Sequence, residues 1–139
     1  MLGMEFCCGC WLEGGQLLDA SSYHPGFGDI ETAIAEYIAK INIVHFRNIT
    51  SPLPRFDETF IDDGYGDMYS ILRALVTCGY RGSIILDHTP AFVPHAGGHA
   101  GASSYAVGWI KGALRACQAE QVIATRGGNA VSSSNRSML

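Results

Sequence analysis

Cys7, His45 and Asp87 are residue types that hold divalent ions, and each stands at the end of a short apolar run: Met4-Glu-Phe-Cys7, Ile41-Asn-Ile-Val-His45 and Ser83-Ile-Ile-Leu-Asp87. A thiolate, an imidazole and a carboxylate together can bind one such ion, and this mixture of soft and hard donors suits manganese, iron or zinc rather than magnesium or calcium. Two further groups accompany them. Arg47 lies two residues beyond His45, so strand alternation puts both on one face, where a fixed guanidinium can grip a carboxylate with two prongs. His88 follows Asp87 directly, and Asn48 follows Arg47.

The elements that must position these residues can be read from the pattern. Residues 2–8 form a strand ending at Gly9, and a long loop then runs through Leu12–Phe27. Asp29 caps a helix whose Ile30, Ala33, Ile34, Tyr37, Ile38 and Ile41 recur at helical spacing. Ile41–Arg47 reads as a strand covered on both faces. A loop with Pro52, Pro54 and the turn Asp62–Asp67 precedes a second helix, capped by Asp67 and stopped at Gly79. Ser83–His88 is a third buried strand, Pro90–Gly101 a Gly/His loop, and residues 103–119 a third helix with Tyr105, Val107, Gly108, Ile110, Leu114 and Cys117 facing a sheet. From Gly127 the chain turns to Gly, Asn and Ser, which gives a domain of residues 1–120 and a flexible tail of 121–139. Three alternating strand–helix units imply an α/β fold with parallel strands, whose carboxyl ends lie side by side and so bring the chemistry-bearing residues to one rim.

Composition narrows the function. The chain has 139 residues, 47% of them hydrophobic and 16% charged, which excludes disorder. No apolar run approaches a bilayer span and no secretory leader is present, so the cytoplasm is the expected compartment. The net charge of −4, with basic residues scattered singly, argues against nucleic acid as a partner. Five cysteines do not form a disulfide framework; Cys78 and Cys117 fit core positions, and Cys7-Cys-Gly-Cys10 reads as loop thiols ahead of a redox pair or half a zinc site. His95 and His99 are four apart, but the glycines between them favour a flexible loop. Asp62, Asp63 and Asp67 suit turn and capping roles.

Phe6-Cys7-x-Gly9, Val44-His-Phe-Arg-Asn48, Asp63-Gly-x-x-Asp-Met-Tyr69 and Asp87-His88, in this order and spacing, resemble the carboxyl-terminal part of mannonate dehydratase over about residues 3–118. The resemblance implies three units of a xylose-isomerase-like (β/α)8, or TIM, barrel. It also implies dehydration of D-mannonate to 2-dehydro-3-deoxy-D-gluconate in hexuronate breakdown, with Mn2+ or Fe2+. On matching positions it implies Cys7, His45 and Asp87 as metal ligands, His88 and Tyr105 as acid–base groups, and Arg47 and Asn48 as substrate-positioning residues. The family places another histidine ligand on an earlier strand, outside these residues. Cys8 and Cys10 depart from the small or hydroxyl residues of the family pattern. A closed barrel needs about 250 residues, so either the chain is a truncated piece or the barrel is completed by further copies or a separate amino-terminal half. Two other readings stand beside this one: a non-catalytic remnant or oligomerisation module, which would fold without metal, and a related metal-dependent sugar isomerase or epimerase.

Overall fold

The structure, a computed structural model, describes residues 2–15 and 29–134. Its centre is a parallel sheet of three strands in the order β1 (Met4–Cys7), β2 (Ile41–His45), β5 (Ser83–Ile85). Between β1 and β2 lie α1 (Cys8–Glu13) and α2 (Ile30–Tyr37), which a short 3-10 turn joins to β2. Between β2 and β5 lie a two-residue antiparallel pair, β3 (Asn48–Ile49) with β4 (Glu58–Thr59), and α3 (Met68–Thr77). The last element, α4, spans Gly98–Ser134. Helix α3 packs between α2 and α4, so the helices follow the order of the strands.

Strand alternation divides the sheet into two unlike faces. Phe6, Val44 and Ile84 are register partners across the three strands. They join Ile30, Ile34, Ile71, Leu72 and Leu75 of the helices in one core. Phe6, Val44, Ile34 and Leu72 are fully buried, and burial of each such side chain contributes roughly 1.5–3 kcal/mol. The opposite face carries Glu5, Ile43 and Ser83 in one row, and Cys7, His45 and Ile85 in the next. On that face Glu5, Ser83 and Ile85 are exposed, Ile85 at 40%, while Cys7, Ile43 and His45 are partly buried.

The caps behave as their residue types dictate. Asp29 accepts from the Glu31 and Thr32 amides at the start of α2, and Asp67 accepts from the Ser70 amide at the start of α3. The Thr32 hydroxyl first, and then the Thr32 and Glu31 amides, hold the Asp29 carboxyl below the usual carboxylate range, and the Ser70 amide does the same for Asp67. Gly79, at φ +76°, follows the end of α3.

Several expectations change. Residues 8–13 are helical rather than loop, because the Cys7 sulfur caps α1 in place of an oxygen; of the expected long loop, residues 16–28 lie outside the described residues. β2 and β5 are not covered on both faces, since β5 is an edge strand and the face opposite the helices is open. Helix α4 starts at Gly98, five residues earlier than expected, on the second of two left-handed glycines, Gly97 and Gly98. Those glycines separate His95, in a 3-10 turn, from His99 in the first turn of α4. The buried face of α4 is Ala102, Ala106 and Cys117, with Ile110, Ala113 and Leu114 partly covered, so Tyr105 and Val107 stay exposed. The helix also passes Ala119 and continues to Ser134, so residues 121–134 of the segment expected as a tail are helical, and 135–139 lie outside the described residues.

Candidate metal centre

Parallel pairing brings the three candidate ligands together. Cys7 and His45 are register partners at the ends of β1 and β2, and Asp87 follows the end of β5 by two residues. One ligand atom from each lies within 4.8 Å of the others, the only such cluster among the described residues. The Cys7 thiol donates to Asp87 Oδ2 at 3.7 Å, and His45 Nδ1 stands 3.7 Å from Asp87 Oδ1. His45 Nε2 faces Glu5 Oε2 at 3.3 Å. A carboxylate on one imidazole nitrogen fixes the ring and turns the other toward the cluster, as outer partners of metal-bound histidines do. The donor set therefore fits a divalent ion: one sulfur, one nitrogen and one carboxylate from three elements.

Arg47 crosses beneath this cluster, 7% exposed along its side chain. Its Nε donates to Asp87 Oδ2 at 2.9 Å, and its Nη2 pairs with Glu13 of α1. Gly9 makes room for it, since a Cβ there would sit 2.4 Å from Arg47 Cζ. Nη1 makes no hydrogen bond, and Glu58 Oε1 stands 4.0 Å from it. Burial opposes the charge of Arg47, but Glu13 and Asp87 outweigh it and raise the pKa, so the guanidinium stays protonated. Burial likewise opposes ionisation of Asp87, but the Arg47 hydrogen bond, with His88 and His45 nearby, holds its carboxyl below the usual range. Burial first, and then the Cys10 side chain, push the Cys7 thiol up to about 12.

His88 sits on the rim, 60% exposed. Its Nδ1 pairs with Glu58 of β4 and its Nε2 lies 3.3 Å from Asp87 Oδ1. The Glu58 hydrogen bond, and then the Asp87 charge, raise its pKa and favour the imidazolium. Tyr105, on α4, donates its hydroxyl to Asp62 and sits among the rings of Phe60 and Phe92. Asp62 raises the Tyr105 pKa. Asn48 is buried, with its amide committed to the backbone: Nδ2 donates to Ile61 O and Gly66 O, and Oδ1 accepts from the amides of Ile49 and Gly66.

The structure thus gathers Cys7, His45, Asp87, Arg47 and His88 in one contact network, and sets Asn48 of β3 and Tyr105 of α4 against the adjoining 60–66 turn. Three carboxylates were not anticipated: Glu5, Glu13 and Glu58. Strand alternation could have found Glu5, two residues before Cys7 on the same face. Glu13 and Glu58 arrive through α1 and β4, elements too short to leave a periodic signal.

A family model described as D-mannonate dehydratase (UxuA) matches residues 21–123. The chain belongs to the D-mannonate dehydratase family. Among solved structures, a mannonate dehydratase from Streptococcus suis serotype 2 is similar in fold, with a TM-score of 0.62 at 22% sequence identity. The match covers 86% of this chain and 33% of the solved one, so the chain spans about a third of that mannonate dehydratase. No curated protein matches it. Among the described residues, no helix is long and apolar enough to cross a membrane.

Proposed function

We propose that this chain carries the metal-binding segment of a mannonate dehydratase-like hydro-lyase. It would act in the cytoplasm on D-mannonate, giving 2-dehydro-3-deoxy-D-gluconate in hexuronate breakdown, with Mn2+ or Fe2+ held by Cys7, His45 and Asp87. The observation that carries this reading is the meeting of a thiol, an imidazole and a carboxylate within 4.8 Å at the ends of three neighbouring parallel strands.

Such an ion, when bound, supplies a Lewis acid for negative charge developing next to the substrate carboxylate. The remaining work falls to the chain's own groups. Dehydration needs a proton for the departing hydroxyl, and Glu58 and Asp87 favour the imidazolium form of His88 that can give one. Arg47 offers Nη1, a buried donor without a hydrogen bond, to a carboxylate oxygen of the substrate. Asn48 positions substrate by fixing the 60–66 turn, and Tyr105, anchored on that turn through Asp62, provides a second acid–base group. The open sheet face with Ile43 and Ile85 suits cover by the other strands of a (β/α)8 barrel, from a second copy or an amino-terminal half. Residues 1–120 form the catalytic segment and 121–139 extend beyond it.

The test is turnover of D-mannonate by the purified chain with Mn2+ under anaerobic conditions, following the 2-keto-3-deoxy acid. Product that is lost in His88→Ala supports the reading. An unimpaired His88→Ala contradicts the acid–base role of His88, and folded protein that forms no product marks the isolated chain as an inactive fragment or binding remnant that lacks the rest of the barrel.

A further inference from the structure

Cys7 has a second sulfur beside it. Because α1 begins at Cys8, Cys7 is its N-cap and Cys10 the third helical residue, positions whose side chains turn toward each other across the first turn. The Cys10 amide donates to Cys7 Sγ at 3.4 Å. Cys10 is exposed and its sulfur accepts from Arg47 Nη2 at 3.8 Å, whereas Cys8 between them is fully buried in the core. Cys10 is thus the more accessible residue of the pair, and Cys7, partly buried, belongs to the proposed ligand set.

We propose that Cys7 and Cys10 close into a reversible disulfide that withdraws Cys7 from the metal centre. The ligand role of Cys7 is taken from the reading above; the pairing of the two sulfurs stands on α1 alone. With a low-molecular-weight disulfide as oxidant, the Cys10 sulfur attacks one oxidant sulfur and releases the first small thiol. Cys7 then attacks Cys10 Sγ in the mixed disulfide and releases the second. Two electrons pass from the cysteines to the oxidant's S–S bond, and the two cysteine protons leave on the released thiols. Residues three apart on a helical turn hold their Cβ atoms roughly 5–6 Å apart, while a disulfide needs roughly 3.5–4.5 Å. Closure thus draws the Cys7 sulfur toward α1 and away from Asp87, and a disulfide sulfur has no thiolate charge to give an ion. Metal loading and oxidation compete for the same atom, so bound Mn2+ slows closure.

The experiment treats the full chain with oxidised glutathione, then denatures, alkylates and weighs the segment ending at Lys40, which holds Cys7, Cys8 and Cys10. The expected result is loss of two alkylation sites, restored by dithiothreitol, in the parent and in Cys8→Ala but not in Cys10→Ser. Mn2+ binding, followed by electron paramagnetic resonance, should weaken at least tenfold on oxidation of the parent and stay unchanged in treated Cys10→Ser. Three intact sites in the treated parent, or loss of two sites in Cys10→Ser, overturns the pairing. Closure with undiminished Mn2+ binding overturns the withdrawal of the ligand. Closure in a chain that binds no Mn2+ even when reduced upholds the pairing and counts against the ligand assignment itself.

Discussion

Asn48→Ala removes the side chain that ties the strand leading out of the metal centre to the 60–66 turn. Three of its hydrogen bonds cross to that turn: to Ile61 O at 3.2 Å, to Gly66 O at 3.0 Å and from Gly66 N at 2.9 Å. The Ile61 contact is buried, so its carbonyl is left without a partner at about 1–3 kcal/mol, while water can reach the partly buried Gly66 groups and limits their loss to about 1 kcal/mol each. The sum is about 3–5 kcal/mol. Asn48→Asp keeps the acceptor side but sets a carboxylate oxygen against two carbonyls, so at neutral pH it should cost at least as much despite its identical shape. Gly64 provides a second handle, since a Cβ there would lie 2.6 Å from Asn48 Cγ and 2.7 Å from Ile49 O. Gly64→Ala should cost about 1–3 kcal/mol alone and less in the Asn48→Ala background, where one of the colliding atoms is gone. Urea unfolding followed by circular dichroism reads all four variants. An Asn48→Ala protein within about 0.5 kcal/mol of the parent, the range of ordinary surface changes, refutes this account of the turn.

Arg47→Lys should weaken binding of an aldonate, because one ammonium cannot serve Asp87, Glu13 and a substrate oxygen in the fixed directions of a fork; calorimetry with D-mannonate checks it, and unchanged affinity rules out the role. Leu72→Ala, at a fully buried core position, should lose about 2–5 kcal/mol in the same urea assay, and a smaller loss would mean the helices do not share one core with the sheet. Asp29 and Asp67 titrate below their unfolded value of 3.8. Their capping contribution is therefore complete above that pH and disappears as pH falls through the folded-state pKa. Asp29→Ala and Asp67→Ala should each cost about 1 kcal/mol at pH 7, and the difference from the parent should vanish in strong acid; a difference independent of pH would assign the effect to something other than the carboxylates.

The Cys7, His45 and Asp87 cluster was legible in the sequence because parallel strands impose a simple rule: residues at the ends of consecutive apolar runs become neighbours. Cys7, His45 and Asp87 obey it, and the helices between them announced themselves through Asp29, Asp67 and the spacing of Ile30, Ile34, Ile71 and Leu75. Helix α1 was hidden because a thiol caps it and its first three residues, Cys8, Gly9 and Cys10, are all weak helix formers. The start of α4 was hidden because Gly97 and Gly98 read as loop, although their left-handed geometry is what launches the helix. β3 and β4 have two residues each, too few for any period, and their pairing is a tertiary event that delivers Glu58 to His88. The exposure of Ile85 could not be read from its own neighbourhood, because an apolar run has the same composition in a covered strand as at an open edge.

Binding of one divalent ion by Cys7, His45 and Asp87 can be read from a Co2+ titration of the reduced chain, since a cobalt–thiolate bond has its own charge-transfer absorption. One equivalent should bind with that absorption, abolished in Cys7→Ser, weakened in His45→Ala and Asp87→Asn, and unchanged in Cys78→Ser. Equal effects of Cys7→Ser and Cys78→Ser, or cobalt bound without the thiolate band, would contradict it.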